Sequence, residues 1–287
     1  MPSPRRFSGP SDLHLHSVHS DGTESAGDVM AAAHRHGLRT AALTDHDTTS
    51  GWADAAEAAS SLGMTFLPGM ELSAEHEWRS IHILAYLIDP DDAGLRAMTD
   101  RIRASRMDRA HTMTDLISQD YDLTWEDILD QTQDGATVGR PHIADALVAK
   151  GLVRDRTEAF GGILRAGGDY YVALYAPDPV TAVELVVGAG GVPIIAHPAG
   201  RAGVLPMPVL DRMLDAGLAG FELDHRENRA SGVKTLRRLS RERDLIVTGS
   251  SDYHGLGKPN LPGENTTADD MVARIIAQGT GSAPVYP

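Results

Sequence analysis

The chain contains no cysteine. Disulfides and thiolate metal sites are therefore excluded, and any metal must be held by nitrogen and oxygen donors. Lysine is nearly absent: Lys150, Lys234 and Lys258 are the whole supply. None of the three is read at a strand end, which argues against a carbon–nitrogen metallohydrolase built around a bridging lysine. No run is long and apolar enough to span a membrane. Residues 1–10 lack the apolar stretch of a secretion signal and read as a loose lead-in, so the expected location is the cytoplasm. Basic residues are also in deficit, 26 against 40 acidic ones, for a net charge of -14. Such a chain does not grip duplex nucleic acid through a broad basic surface. A phosphorylated substrate would need the field reversed locally, and bound cations are the obvious means.

What remains is ordinary globular material, 287 residues with 41% hydrophobic and 23% charged. That length suits one large domain, or one domain with an insert. Strand-like and helix-like segments alternate from residue 11 to about residue 88: strands near 11–15, 39–44, 64–72 and 81–88, helices near 24–36 and 52–62, and a hairpin turn at 75–79. From about 95 to 168 the pattern is helical throughout. The alternation resumes at Asp178, with strands at 192–196, 219–223 and 245–249 between helices. This is the rhythm of an α/β protein built on a parallel sheet. The chain divides into 1–95 and 169–287, which carry the α/β pattern, and a helical insert over 96–168 that reads as a cap. No internal repeat or low-complexity tract is visible beyond that rhythm.

Polar residues collect where strands end. His14 and His16 stand at i and i+2 on the first strand, so both point one way, with Leu13 and Leu15 turned the other way into an apolar layer. Asp21 follows after a short loop. Asp45 and His46, Glu71, His82, His197, and Asp252 and His254 occupy equivalent places later in the chain. In a barrel of parallel strands these ends share one face, where active sites are built. Six of the 13 histidines fall on this face. His34, His36 and His111 lie on helices and read as solvated, His76 sits in the hairpin turn, and His19 lies near the site without being needed by it. His14, His16, Asp21, His46, Glu71, His82, His197, Asp252 and His254 are too many donors for one ion and suit one to three, with Glu71 a natural bridge. Imidazole and carboxylate donors allow manganese, iron or zinc. Ions about 3.5–4 Å apart would generate hydroxide near neutral pH and stabilise both oxygens of an in-line displacement.

These stretches resemble a known family. The opening DLHLHSVHSDGT, then TDHD, PGMELS, the isolated His82, the AHP at 196–198 and the SSDYH at 250–254 are similar to the PHP (polymerase and histidinol phosphatase) superfamily. The resemblance implies a distorted (β/α)7 TIM-like barrel with a trinuclear metal site. In it His14, His16 and Asp252 would hold one ion, Glu71 would bridge to a second completed by His82 and His197, and Asp21, His46 and His254 would hold a third. Asp45 and His19 would support these ligands from behind. Two to three divalent ions are implied, manganese first and iron or zinc as alternatives, with a metal-bridging hydroxide as nucleophile and no protein side chain in that role. The insert, with Gly139-Arg140-Pro141-His142, is similar to a subgroup of small phosphoesterases acting on nucleotides. The activity implied is removal of the 3'-phosphate from nucleoside 3',5'-bisphosphates. The alternatives are 5'-3' exonuclease action on RNA or short oligonucleotides, a histidinol-phosphatase-like activity, and a non-catalytic metal-binding module. The expected substrate is a small phosphorylated nucleotide or short oligonucleotide, and the oligomeric state is not legible. Arg140 and His142 open a cap helix and are candidate phosphate contacts, as are His225 and Arg226 at a barrel strand end. Arg101, Arg103, Arg106 and Arg109, interspersed with Asp100 and Asp108, read as a solvated helix face.

Overall fold

A computed structural model describes residues 9–132, 136–201 and 203–287, so most of the lead-in, residues 1–8, lies outside the described residues. The first half of the barrel runs β1 (Ser11–Leu15), α1 (Ala26–Arg35), β2 (Thr40–Leu43), α2 (Trp52–Ser61), β3 (Thr65–His76) and β4 (Arg79–Tyr86). The helical segment follows as α3 (Ala93–Ile117), α4 (Trp125–Leu129), α5 (Arg140–Ala149) and α6 (Arg156–Gly161). The second half is α7 (Pro179–Gly188), β5 (Val192–Ile195), α8 (Met207–Asp215), β6 (Gly220–Asp224), α9 (Ala230–Glu242), β7 (Ile246–Gly249) and α10 (Asp269–Gln278).

Seven strands form one sheet in chain order. An isolated bridge between Leu15 and Tyr253, just past β7, brings its two edges together. The result is a nearly closed, distorted (β/α)7 barrel. The distortion has a local cause. A two-residue turn at Glu77 and Trp78 joins β3 to β4 with no crossover helix, so β4 is antiparallel to both β3 and β5 while every other pair is parallel. Strand β4 therefore starts at the end of the barrel where its parallel neighbours finish, and its early residue His82 shares their face.

Leu13, Ala42, Leu67, Leu84, Tyr86, Ile194 and Ile246 form one buried cluster with Val272 and Ile275 of α10. Helices α1 and α2 pack Val29, Met30, Ala55 and Ala59 against Leu15, Leu43 and Phe66. Helices α7, α8 and α9 cover β3 to β6 through Val183, Val186, Leu210, Met213, Leu236 and Leu239. Leu13 and Leu15 thus do not share one apolar layer. The pairing of β1 with β2 slips between Asp12 and Leu15, which breaks strict alternation and sends the two leucines to different clusters.

Helix α3 belongs to two bodies. Leu95 and Ile102 pack with the barrel, while Ala110, Met113 and Ile117 join a separate core with Ile128, Ile143, Leu147 and Leu164. The joint is polar: Arg106 donates from Nε and Nη2 to Asp47 Oδ2 at 3.0 and 2.8 Å and from Nη2 to Ser73 Oγ at 2.6 Å, and Arg103 donates to the Asp47 carbonyl at 2.7 Å. The face read as solvated is instead turned onto the barrel at Arg103 and Arg106.

The hairpin turn holds Glu77 and Trp78 at φ 47° and 67°, a conformation suited to Asn-Gly, and Trp78 is 82% exposed. The double substitution Glu77→Asn with Trp78→Gly should stabilise the fold by about 0.5–1 kcal/mol by relieving left-handed strain. A thermal melt is expected to show Tm raised by a few degrees with the secondary structure unchanged; a lowered Tm would mean that the tryptophan packs usefully.

Candidate metal centre

His14 and His16 come together at the end of β1, with their Nε2 atoms 3.0 Å apart and both rings fully buried. Two bare imidazole nitrogens at that distance repel unless a cation or a proton lies between them. Glu71 Oε2 lies 3.1 Å from His14 Nε2, 3.0 Å from His16 Nε2 and 3.4 Å from His46 Nδ1. Glu71 Oε1 lies 2.7 Å from His82 Nδ1 and 3.3 Å from His197 Nε2. Strand β3 runs past Glu71 to His76, so this carboxylate sits inside the strand and not at its end. Asp252 Oδ1 lies 3.5 Å from both His14 and His16, and Asp21 lies 3.1 Å from His254 Nε2 and 3.8 Å from His46 Nε2.

Three groups of donors converge among the described residues: His14, His16, Glu71 and Asp252; His46, Glu71 and His82; and His16, Asp21, His46 and His254. Within each group the donor atoms lie within 4.8 Å of one another. His16, His46 and Glu71 each belong to two groups, so the grouping is more interwoven than three separate ligand sets. His197 joins through its contact with Glu71.

The donor set fits divalent ions on two grounds. First, His46 Nδ1 and His254 Nε2 are buried without a hydrogen-bond partner, although carboxylate oxygens stand close to both. Donors that crowd one point without bonding each other are aimed at something else. Second, the charges are complementary, although for His14 and His197 burial works downward and the carboxylates around them override it and push both rings up, so that an ion would have to displace their protons. Burial pushes the carboxyls of Glu71 and Asp21 up, but facing histidines override it and hold both well below the usual range; for Asp252, Lys258 and His254 do the same. Burial drives His46 well down and His16 down, which leaves neutral rings. Ionised carboxylates and neutral imidazoles are the forms that bind metal.

The remaining expected residues are placed as follows. Asp45 accepts from Ser17 N, Ser17 Oγ and Ser20 Oγ at 2.6–2.8 Å, and Ser20 Oγ reaches His16 Nδ1 at 3.3 Å, so Asp45 steadies His16 through Ser20. His19 contacts Ser50 Oγ at 3.1 Å and joins none of the donor groups. Gly22 closes the loop back to Asp21, where a Cβ would meet His16 O at 2.5 Å. His142 is buried at the start of α5, with Nδ1 accepting from Gly139 N at 3.1 Å. Arg140 lies over the rings of Phe160 and Tyr171. His225 is buried with Nε2 3.6 Å from Asp252 Oδ2 and Nδ1 accepting from Glu227 N. Arg226 points to Glu264 and Asn260, at 2.9 and 3.0 Å.

Sequence reasoning missed two residues. Glu222 on β6 is fully buried; Oε1 lies 3.0 Å from His14 Nδ1, and Oε2 accepts from His197 N at 2.8 Å. Burial works against its charge, but His14 holds the carboxyl down at about 2. It thus fixes the His14 tautomer that turns Nε2 to the donor group and, at the same time, the backbone of His197. Its sequence, Gly-Phe-Glu-Leu-Asp, reads as an ordinary strand with no marker. Lys258 follows β7 in a loop, and its Nζ donates to Asp252 Oδ2 at 2.6 Å. The chain's last lysine reaches the site after all, from a loop and not from a strand end.

Glu222→Gln should preserve the fold and weaken metal retention about 10- to 100-fold, as loss of such a partner commonly does. Ions per chain after dialysis against graded chelator measure this, and an unchanged profile would show that His14 needs no such support.

Comparison with known proteins agrees with this geometry. The PHP domain profile matches residues 12–159. A 3',5'-nucleoside bisphosphate phosphatase of Chromobacterium violaceum is 32% identical over 251 residues, 86% of this chain and 88% of that one. A 5'-3' exoribonuclease of Haemophilus influenzae is 32% identical over 246 residues, 85% and 89% of the two chains. A crystal structure from Bifidobacterium adolescentis, described as a metal-dependent phosphoesterase, superposes with a TM-score of 0.92 at 40% identity, covering 95% of this chain and 97% of that one. Among the described residues no helix is long and apolar enough to cross a membrane. This chain belongs to the PHP family and is a metal-dependent hydrolase of phosphate esters.

Proposed function

We propose that the substrate is a small nucleotide and that the reaction removes the 3'-phosphate of nucleoside 3',5'-bisphosphates. The observation that carries this reading is the sharing of Glu71 among donor groups, together with a cleft lined by His142 of α5 and by Lys258, which bonds Asp252. His14, His16, Glu71 and Asp252 would hold one ion, Glu71, His82 and His197 a second, and Asp21, His46 and His254 a third, with manganese first among the candidates and iron or zinc as alternatives. Bound there, the ions supply Lewis-acid charge and an activated water as the attacking group.

The chain's own residues do the rest. Asp45 and Glu222 hold the rings of His16 and His14 in their working orientation. His225 carries its proton on Nε2, since Nδ1 accepts from Glu227 N, and so can donate to a phosphate oxygen beside Asp252. Arg140 and His142 face the substrate from the cap. Arg226, engaged by Asn260, steadies the loop whose Asn260 side chain bonds the carbonyls of Ser251 and Asp252. A cleft of about 870 Å³ between α5, α6 and the loop after β7, lined by Thr23, His142, Arg156, Leu256 and Lys258, offers room for the nucleoside.

Manganese-loaded protein should release phosphate from adenosine 3',5'-bisphosphate. Chelation, His16→Ala or Glu71→Ala should abolish release with circular dichroism unchanged, and His36→Ala should change nothing. Absence of release from a panel of nucleotides and short oligonucleotides would overturn the reading.

A further inference from the structure

Basic charge is scarce in this chain and unevenly placed. Residues 229–243, which are α9 and the residue on either side of it, hold six of the 26 basic residues and one of the 40 acidic ones. Packing does not call for them. Leu236 and Leu239 are buried and fix α9 to the barrel with Val233 beside them. Lys234, Arg238 and Arg241 stand at i, i+4 and i+7, on the face turned away from those leucines, and all three are exposed.

Most of this charge is unmet. Arg237 pairs with Asp224 at 2.6 Å, but Arg238 lies 3.7 Å from Glu242 and Arg243 lies 3.8 Å from Asp211, in both cases between exposed side chains. Among the described residues Arg229, Lys234 and Arg241 make no ion pair. The helix dipole accounts for Arg241 in the last turn and not for Arg229, which stands at the N-terminal cap, the positive end. Like charges three and four residues apart, as in Lys234 with Arg238 and Arg238 with Arg241, destabilise a helix by themselves. An external polyanion would relieve that repulsion along the whole face.

The face also leads from the metal centre. The loop between β6 and α9 carries His225, 3.6 Å from Asp252, and Arg226, which donates to Asn260. Asn260 lines the same cleft as Lys258. The Arg229 amide donates to the Ala199 carbonyl, two residues past His197. Helix α9 therefore starts at the rim of the site and runs away from it for about 20 Å.

We infer that the outward face of α9, with Arg229, Lys234, Arg238 and Arg241, is a docking stripe for the body of a single-stranded polynucleotide whose end enters the cleft at the metal centre. The stripe is one helix wide in a chain of net charge -14, too narrow for a duplex and wide enough for a flexible strand. The inference goes beyond the small-nucleotide reading and does not depend on it; it rests on the phosphate-ester chemistry of the family.

The test is a titration of the manganese-loaded chain into single-stranded polyuridylate of about 20 nucleotides with a 3' fluorophore, read by anisotropy from about 50 to about 200 mM salt. The triple variant Lys234→Gln, Arg238→Gln, Arg241→Gln should bind about tenfold more weakly at the lowest salt, and the slope of log affinity against log salt should shrink by about 2, as loss of three phosphate contacts requires. The charge-conserving pair Arg238→Lys with Arg241→Lys should bind as the wild type does. A control that removes the same charge from exposed positions elsewhere, Arg35→Gln, Arg39→Gln and Arg96→Gln, should also bind as the wild type does; equal weakening by both triples would show an effect of net charge alone and overturn the stripe. Equally tight binding of a duplex of the same length would overturn it too. So would vesicles of phosphatidylglycerol that bind through the same three residues while the oligonucleotide does not bind. Phosphate release from adenosine 3',5'-bisphosphate is read separately on the wild type. Stripe-dependent binding without that release would overturn the phosphatase reading and leave the stripe standing; release beside oligonucleotide binding that ignores the three residues would do the reverse.

Discussion

The carboxylate of Glu71 is 1% exposed and stands at the meeting point of five imidazoles, those of His14, His16, His46, His82 and His197, at 2.7 to 3.4 Å. A buried carboxylate is tolerated only when its charge is met, and here the facing rings meet it from five directions. Much of the architecture serves that convergence. Strand β3 must continue past the barrel rim so that Glu71 can lie within it. Strand β4 must return antiparallel so that His82, near its start, faces the same way. Strand β5 must end where His197 can reach Oε1. A fully parallel barrel would put the start of its fourth strand at the opposite mouth, and His82 could not take part.

The charge distribution follows from the same demand. The chain is acidic overall, with a net charge of -14. An anionic ester therefore approaches against the field unless positive charge is concentrated where it docks. The metal centre does this on the barrel. On the proposed reading, Arg140 at the start of α5 would add to it from the helical segment. Arg106 belongs to both: it neutralises Asp47 and bonds Ser73, so it fastens the cap to the strand that carries Glu71. The position of α3 is thus tied to the strand that carries Glu71.

The nine residues that converge here were legible as candidates because they occur in short local motifs, and the chemistry of imidazole and carboxylate is plain in the letters. The helical segment was legible because its periodicity departs from the βα rhythm. Residues acting through one other residue were hidden. Glu222 looks like any buried strand position until His14 is seen beside it, because the partner lies 208 residues away. Arg109 looked solvated because helix periodicity gives a face and not what covers that face; Tyr171 lies against it. The leucines of β1 misled for a third reason: a register slip is a property of two strands together and leaves no trace in one.

Backbone strain draws these threads together. His197 and Asp252 adopt φ of 31° and 56°, in a region that side chains other than glycine rarely occupy. Both lie two or three residues past the ends of β5 and β7. The left-handed turn redirects them, and hydrogen bonds from outside the donor set hold the turn. Glu222 accepts from the His197 amide, and Asn260 donates to the Asp252 carbonyl while Lys258 grips the carboxylate. Glu222 therefore acts twice, on the ring of one donor and on the backbone of another. A carboxylate placed to satisfy His14 alone would not need to lie where His197 turns. One placed to satisfy both must come from the strand next to β5 on the side away from β4, and β6 is that strand.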